Sequence, residues 1–276
     1  TDLVRSSRDG DQFHYLWASR RALLLLDPKS NLHTITIEGP SKTEFENGYL
    51  EDGEEIIDVG EYYGSNNLEK TSSITYSQLK HSTVHANDPF PPKKKKNTIE
   101  GFAKRYKALV KQLGKDKVQS IIRFNFVSNR PISEDFYLSI QELKETETVT
   151  NANNLRKLEE FTGLKNKDLI DLFKLIKFQT DEDNYLIQRE SLTQEIQYYL
   201  AGADIQAPIA LKELITCKAL SENAESPEVT KLDVLRTLHT NEEELFPVKN
   251  LIKKISSPIA RVQTTQIIDQ ILQSNE

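Results

Sequence analysis

Three short runs in the first half of the chain alternate apolar and polar side chains with a period of two: HTITIEG (33–39), ITYSQLK (74–80) and SIIRFNFVSN (120–129). Side chains on a strand point alternately to opposite faces, so such runs read as half-buried strands. EEIIDVGEYYG (54–64) is a further strand candidate, and the polar turn SNNLEKTS makes it a hairpin partner of ITYSQLK. Between and before these runs the spacing changes to that of helices. FHYLWASRRALLLL places Phe13, Leu16, Trp17, Leu23 and Leu24 near one helical face, with Asp9 or Asp11 as the expected cap. IEGFAKRYKALVKQLG (99–114) is a basic amphipathic helix closed by Gly114, preceded by a Pro- and Lys-rich loop, HANDPFPPKKKKN. A last helix of this half is expected from about Ser133. The order helix, three strands, helix, strand defines an α/β chain with a mixed sheet.

From Asn151 onward the spacing is helical in NLRKLEEFTGL, KDLIDLFKLIKF, SLTQEIQYYLAG, PIALKELITCKAL and TKLDVLRTLHT, with NYLIQ as the one strand candidate. The polar, β-branched stretch ETETVTNAN (145–153) is the expected boundary between them. The division expected is thus an α/β domain over 1–148 and an all-α domain over 149–276, whose tail, PIARVQTTQIIDQILQSNE, reads as one more helix leading toward a further domain.

Charge is unevenly distributed. Fourteen Lys or Arg stand against three Asp or Glu between Lys70 and Arg130, so this stretch carries +11 in a chain of −6 overall, and the rest carries −17. A block of one sign in a chain of the other marks a surface for an oppositely charged partner, here a nucleic-acid backbone. The residues expected to make that contact are Lys93, Lys94, Lys95, Lys96, Lys104 and Arg105. The longest apolar run, Ala22 to Leu26, is too short for a membrane span. One cysteine, Cys217, cannot form an internal disulfide, which fits a cytoplasmic chain.

Alternation also says which polar side chains share a face. Asp58 falls with Gly60 and Tyr62, and Glu61 points the other way. Tyr76, Gln78 and Lys80 share a face on the neighbouring strand, and Glu38 closes TITIE at the edge of the same sheet. Phosphodiester hydrolysis needs an activated water and positive charge on the scissile phosphate. Hard oxygen ligands hold Mg²⁺ (or Mn²⁺) for that purpose. Asp58 would be the bridging carboxylate, Gln78 a neutral oxygen ligand, Glu38 a further ligand, and Lys80 the group that stabilises developing charge or helps deprotonate water.

Asp58 followed by Gln78-x-Lys80 on this order of elements resembles the PD-(D/E)XK nuclease superfamily. Ile57 stands where its name-giving proline would be, and Gln78 replaces its second acid. Over residues 5–145, FHYLWASRRALLLL, ITIEGP, EIIDVGEYYG, YSQLKHST and FVSNRPI are similar to the N-terminal effector nucleases of bacterial antiphage proteins associated with STAND NTPases and CD-NTase systems. That resemblance implies a restriction-endonuclease-like core, metal-dependent cleavage of double-stranded DNA, self-assembly into a homo-oligomer, and an NTPase or sensor domain in the same polypeptide. The competing expectation is a catalytically inactive module that binds nucleic acid through the basic segment and oligomerises through the helical half.

Other candidates are weaker. Gly39 to Thr43, GPSKT, follows a strand but lacks the second glycine of a phosphate-binding loop. His81 and His85 fall in a Pro-rich loop, and His81 is expected to be exposed. His14, on the first helix, is expected either to pack or to reach the site.

Overall fold

The computed structural model describes residues 2–46, 53–83, 85–90, 92–224, 226–246 and 266. One six-stranded mixed sheet organises them, with helices on both faces. The chain runs α1 (Asp2–Leu23), β1 (Leu32–Ile37), α2 (Lys42–Glu46), β2 (Val59–Tyr63), β3 (Ser73–Lys80), α3 (Pro92–Leu113), α4 (Lys115–Ile121), β4 (Ile122–Ser128), α5 (Glu134–Glu145), α6 (Ala152–Thr162), α7 (Asn166–Leu175), β5 (Ile176–Gln179), α8 (Tyr185–Tyr199), α9 (Ala207–Lys218), β6 (Glu228–Thr230) and α10 (Lys231–Thr237). Strand order across the sheet is β5-β4-β3-β2-β1-β6. β1, β2 and β3 form an antiparallel meander, β4 and β5 lie parallel to β3 and to each other, and β6 pairs antiparallel with β1.

The expected order of helix, three strands, helix and strand is present as α1-β1-β2-β3-α3-β4, and the mixed sheet with it. The second half, expected to be all-α, is not: β5 and β6 both lie there and close the two edges of the sheet. The helical run expected through KDLIDLFKLIKF stops at Leu175, because Ile176–Gln179 pairs with β4 in register Phe124↔Ile176. The strand candidate NYLIQ is instead the start of α8, where the Asn184 side chain accepts from the Leu186 and Ile187 N–H groups and caps the first turn. α1 begins at Asp2, so Asp9 and Asp11 lie inside it and do not cap it. α3 begins at Pro92, so the four lysines occupy the first turns of a helix and not a loop; a proline is compatible with a first helical position because that N–H has no intrahelical acceptor. The helix expected in the tail falls outside the described residues.

Alternation sorts the core. Tyr62, Ile74, Tyr76, Phe124 and Phe126 face α3, where Phe102, Tyr106 and Leu109 cover them, with α5 and α7 completing that side. Ile35, Ile37, Val59, Leu79 and Val127 face α1 through Phe13, Leu16 and Trp17, with α8 and α9 behind. Both clusters draw side chains from before and after residues 145–153.

α3 sits close to the turn Glu54–Ile56 that leads into β2 because of one glycine. A Cβ on Gly101 would stand 2.7 Å from Ile56 Cγ1 and 2.9 Å from its Cβ. Gly101→Ala gains helix propensity worth about 1 kcal/mol but forces a buried overlap costing ~1–3 kcal/mol. Since Ile56 Cβ cannot swing aside, the overlap wins, and a lower urea midpoint at unchanged slope is the expected result.

Candidate metal centre and adjoining cleft

The ends of β1 and β3 and the start of β2 meet beside α1. β1 stops at Ile37, and Glu38 adopts φ +54°, a left-handed conformation uncommon for a side-chain-bearing residue. Its N–H donates to the Asp58 carbonyl at 2.9 Å, so the antiparallel pairing continues one step past the strand and sets Glu38 opposite Asp58. Asp58 in turn donates its N–H to the Ser77 carbonyl at 3.0 Å, which carries the β2–β3 register Val59↔Ser77 onward to Asp58 beside Gln78.

Asp58 is buried, and each of its oxygens is engaged. The Leu79 N–H donates to Oδ2 at 2.6 Å, and the Gln78 side-chain amide donates to both oxygens at 3.3 Å. Thr98 Oγ1 on α3 donates to Gln78 Oε1 at 3.1 Å. A carboxylate only accepts, so this chain turns the amide hydrogens of Gln78 toward Asp58 and its oxygen toward Thr98. In this arrangement Gln78 orients Asp58, and its own carbonyl oxygen is already occupied.

His14 supplies what the alternation of strands could not. One ligand atom each from His14, Glu38 and Asp58 lies within 4.8 Å of the others, the one such group of His, Cys, Asp or Glu found among the described residues. Burial lowers the pKa of His14, with Lys80 adding to the effect and Asp58 opposing it, so the ring is neutral at pH 7 and can offer a lone pair. Glu38 moves the other way. The protein crowded around its carboxyl and the neighbouring Asp58 raise its pKa to about 7, with Lys80 pulling it down. Glu38 has an exposed surface, so the like charge of Asp58 is the firmer of the two causes.

The donor set, one imidazole nitrogen and two carboxylates, fits a divalent cation such as Mn²⁺ or Mg²⁺, the nitrogen favouring Mn²⁺. Glu38 must lose its proton to ligate. Mn²⁺ affinity is therefore expected to rise about tenfold per pH unit below 7 and to level off above it; calorimetric titrations across that range check this. The metal-free fold shows the matching trend. A carboxyl whose folded pKa is raised stabilises the fold below its ordinary pKa and loses that contribution as pH climbs to about 7.

Lys80 projects on the same side as Gln78. Both line an open cleft of about 450 Å³ between β3 and α3, with Glu55, Asn97, Glu100 and Lys104 around it. Lys80 is half-buried, and its ammonium makes no hydrogen bond or ion pair among the described residues.

The residues expected to hold DNA divide. Lys104 borders the cleft and pairs loosely with Glu100 at 3.5 Å, and Lys96 is half-exposed. The side chains of Lys93, Lys94 and Lys95 lie outside the described residues. Arg105 does not face solvent at all. It is 0 % exposed and paired with Glu44, also 0 % exposed, so it has no surface to offer DNA. The reason is helical spacing: Arg105 is three residues after Phe102 and four before Leu109, on the face turned to the sheet. Glu44 lies in α2 and accepts from Tyr62 and Tyr76 as well as Arg105. Burial first, and the Glu44 carboxylate second, push both phenols upward, which keeps them protonated donors.

His81 is not the exposed histidine expected. Its ring stacks on Phe13 at 4.9 Å and meets Tyr185 edge-on, and burial lowers its pKa to about 4. No helix among the described residues is long and apolar enough to cross a membrane. No protein-family model matches the chain, and no curated protein matches it.

Proposed function

We propose that the chain is a divalent-metal-dependent endonuclease acting on double-stranded DNA, with a restriction-endonuclease-like core formed by α1-β1-β2-β3-α3-β4. The observation that carries this reading is the convergence of His14, Glu38 and Asp58 beside Lys80, which has no partner among the described residues and lines a cleft. A bound Mg²⁺ or Mn²⁺ supplies positive charge at the scissile phosphate and an acidified water. His14, Glu38 and Asp58 hold it; Gln78, braced by Thr98, fixes the orientation of Asp58. Lys80 places a mobile ammonium where charge develops on the phosphate.

The acidic partner class follows from the +11 stretch, which brings most of its cations to α3 and the cleft beside it. Four consecutive lysines fall in the first turns of α3, a run of one sign that suits a polyanion. Membership of an antiphage protein, an NTPase or sensor domain in the same polypeptide, and a homo-oligomer follow from the resemblance over residues 5–145.

Supercoiled plasmid incubated with the protein and Mn²⁺ or Mg²⁺ tests the reading. Conversion to nicked and linear forms, abolished by EDTA and by Asp58→Asn, is the expected result. Equal cleavage by wild type and Asp58→Asn overturns the assigned centre. Tight Mn²⁺ binding with no cleavage of any DNA favours the inactive binding module instead.

A further inference from the structure

The structure holds a second cavity, separate from the cleft beside Lys80. It measures about 520 Å³ and lies among β2, β3, β4, β5 and the helices α1, α5 and α7. Pockets of this size hold a ligand of nucleotide dimensions.

Its charge is one-sided. Glu61 is the single carboxylate among the lining residues, and Arg21 neutralises it at 2.6 Å. Lys174 is committed to Glu147 at 2.7 Å. Three cations remain. Lys177 is exposed and makes no hydrogen bond or ion pair among the described residues. Among the described residues Arg123 is held by the carbonyls of Gln119 and Ile122, and Lys144 by the carbonyl of Ile176 at 3.1 Å. Neither forms an ion pair there, although the neighbouring Glu145 acts on Lys144. Trp17, Tyr63 and Tyr137 add aromatic surface to the same walls.

A hydrogen-bond relay behind the cavity wall reaches two of its lining residues, Gln179 and Asn125. Glu182 accepts from the Gln179 amide and, at 2.7 Å, from the Gln188 amide, whose oxygen accepts from Arg20 at 2.6 Å. A carboxylate cannot donate, so Gln179 must point its oxygen at Asn125, which donates its amide hydrogens to it at 3.3 Å. The relay leaves Asn125 Oδ1 as an acceptor with no partner among the described residues, on a side chain only 8 % exposed that lines the cavity. Buried acceptors are normally satisfied, and one left bare beside a cavity calls for a donor from a ligand. Oδ1 is closed to water as it stands, so a ligand would reach it only if the Asn125 side chain turned toward the cavity and gave up its 3.3 Å bond to Gln179.

We propose that this cavity is a second binding site, for a nucleotide: its phosphates held by Arg123, Lys144 and Lys177, its flat ring among the aromatic walls, and a ring N–H donating to Asn125 Oδ1. Inorganic phosphate would satisfy the cations and leave Asn125 bare. A neutral ring would do the reverse. α1 joins the two sites, since His14 lies at the metal centre and Trp17 and Arg21 line this cavity. The proposal does not depend on the nuclease reading.

Calorimetric titration of the whole chain with ATP, GTP, CTP and UTP, and with tripolyphosphate as the ringless control, tests it. EDTA is present throughout so that no metal–phosphate complex forms at the His14 cluster. At least one nucleotide is expected to bind one-to-one and about tenfold or more tighter than tripolyphosphate. Lys177→Glu, a surface change, should weaken both ligands about tenfold or more. Asn125→Ala should bring the nucleotide to the level of tripolyphosphate and leave tripolyphosphate unchanged. Thermal unfolding of each variant confirms that it is folded. Failure of all four nucleotides to bind, equal binding of nucleotide and tripolyphosphate, or binding indifferent to Lys177→Glu overturns the proposal.

Discussion

Glu44→Leu is expected to destabilise the protein by about 3–5 kcal/mol, the cost of leaving a buried charge without its partner. Both groups of the Glu44–Arg105 pair are wholly buried, and Arg105 Nε and Nη1 have no partner among the described residues. Without Glu44 the guanidinium keeps, among the described residues, the Tyr76 hydroxyl at 3.3 Å and the face of that ring. Arginine cannot shed its proton, so nothing relieves the charge. Arg105→Met should cost less. Tyr62 and Tyr76 still donate to the carboxylate, and an isolated buried carboxyl can take up a proton at moderate cost. The double variant Glu44→Leu/Arg105→Met should be more stable than Glu44→Leu alone, since a buried ion pair replaced by apolar groups of similar volume is often neutral. Urea unfolding of the four proteins as a double-mutant cycle measures this ordering. If Glu44→Leu unfolds within about 0.5 kcal/mol of wild type, a range typical of surface substitutions, the pair is not the buried network described above.

Lys80→Met is expected to reduce DNA cleavage by about 10²–10³-fold, the usual loss when one donor to developing charge is removed. Because the ammonium has no partner among the described residues, stability should change by no more than about 0.5 kcal/mol. Metal binding separates a catalytic from a structural effect. Removing a cation near His14 and Glu38 should preserve Mn²⁺ binding above neutral pH and strengthen it, since Lys80 repels a metal ion there. The same loss lets the Glu38 pKa rise beyond about 7, so the pH at which Mn²⁺ affinity levels off should move upward. Unchanged cleavage by Lys80→Met would remove Lys80 from the proposed mechanism.

The strands were legible because their physics is local. Alternation alone put Asp58, Gln78 and Lys80 on one face, and the register Val59↔Ser77 places them there. Glu38 could be seen at the edge, but not the left-handed turn that aims it. His14 was harder, because a helix carries several faces and only packing of Phe13 and Trp17 on the sheet decides where their neighbour points. β5 and β6 are four and three residues long, with too few positions for a period to show; they are strands because an existing edge pairs with them. Arg105 had a signal in the sequence, its place in the Phe102–Leu109 stripe, which its charge outweighed in the reading. Glu44 had none, since its burial depends on Tyr62, Tyr76 and Arg105 meeting across three separate elements.

The two closing strands also govern the order of events at the ribosome. β1 emerges early, yet its outer neighbour β6 arrives only when Val229 can pair with Ile35. Until then β1 is an unpaired margin of the nascent sheet, and β4 is a second one until β5 emerges. Open margins of this kind recruit foreign strands, and non-local pairing delays their closure. A chain cut after residue 148 would carry both margins permanently. The first half would then hold every residue of the metal centre and still be prone to stick to its own copies.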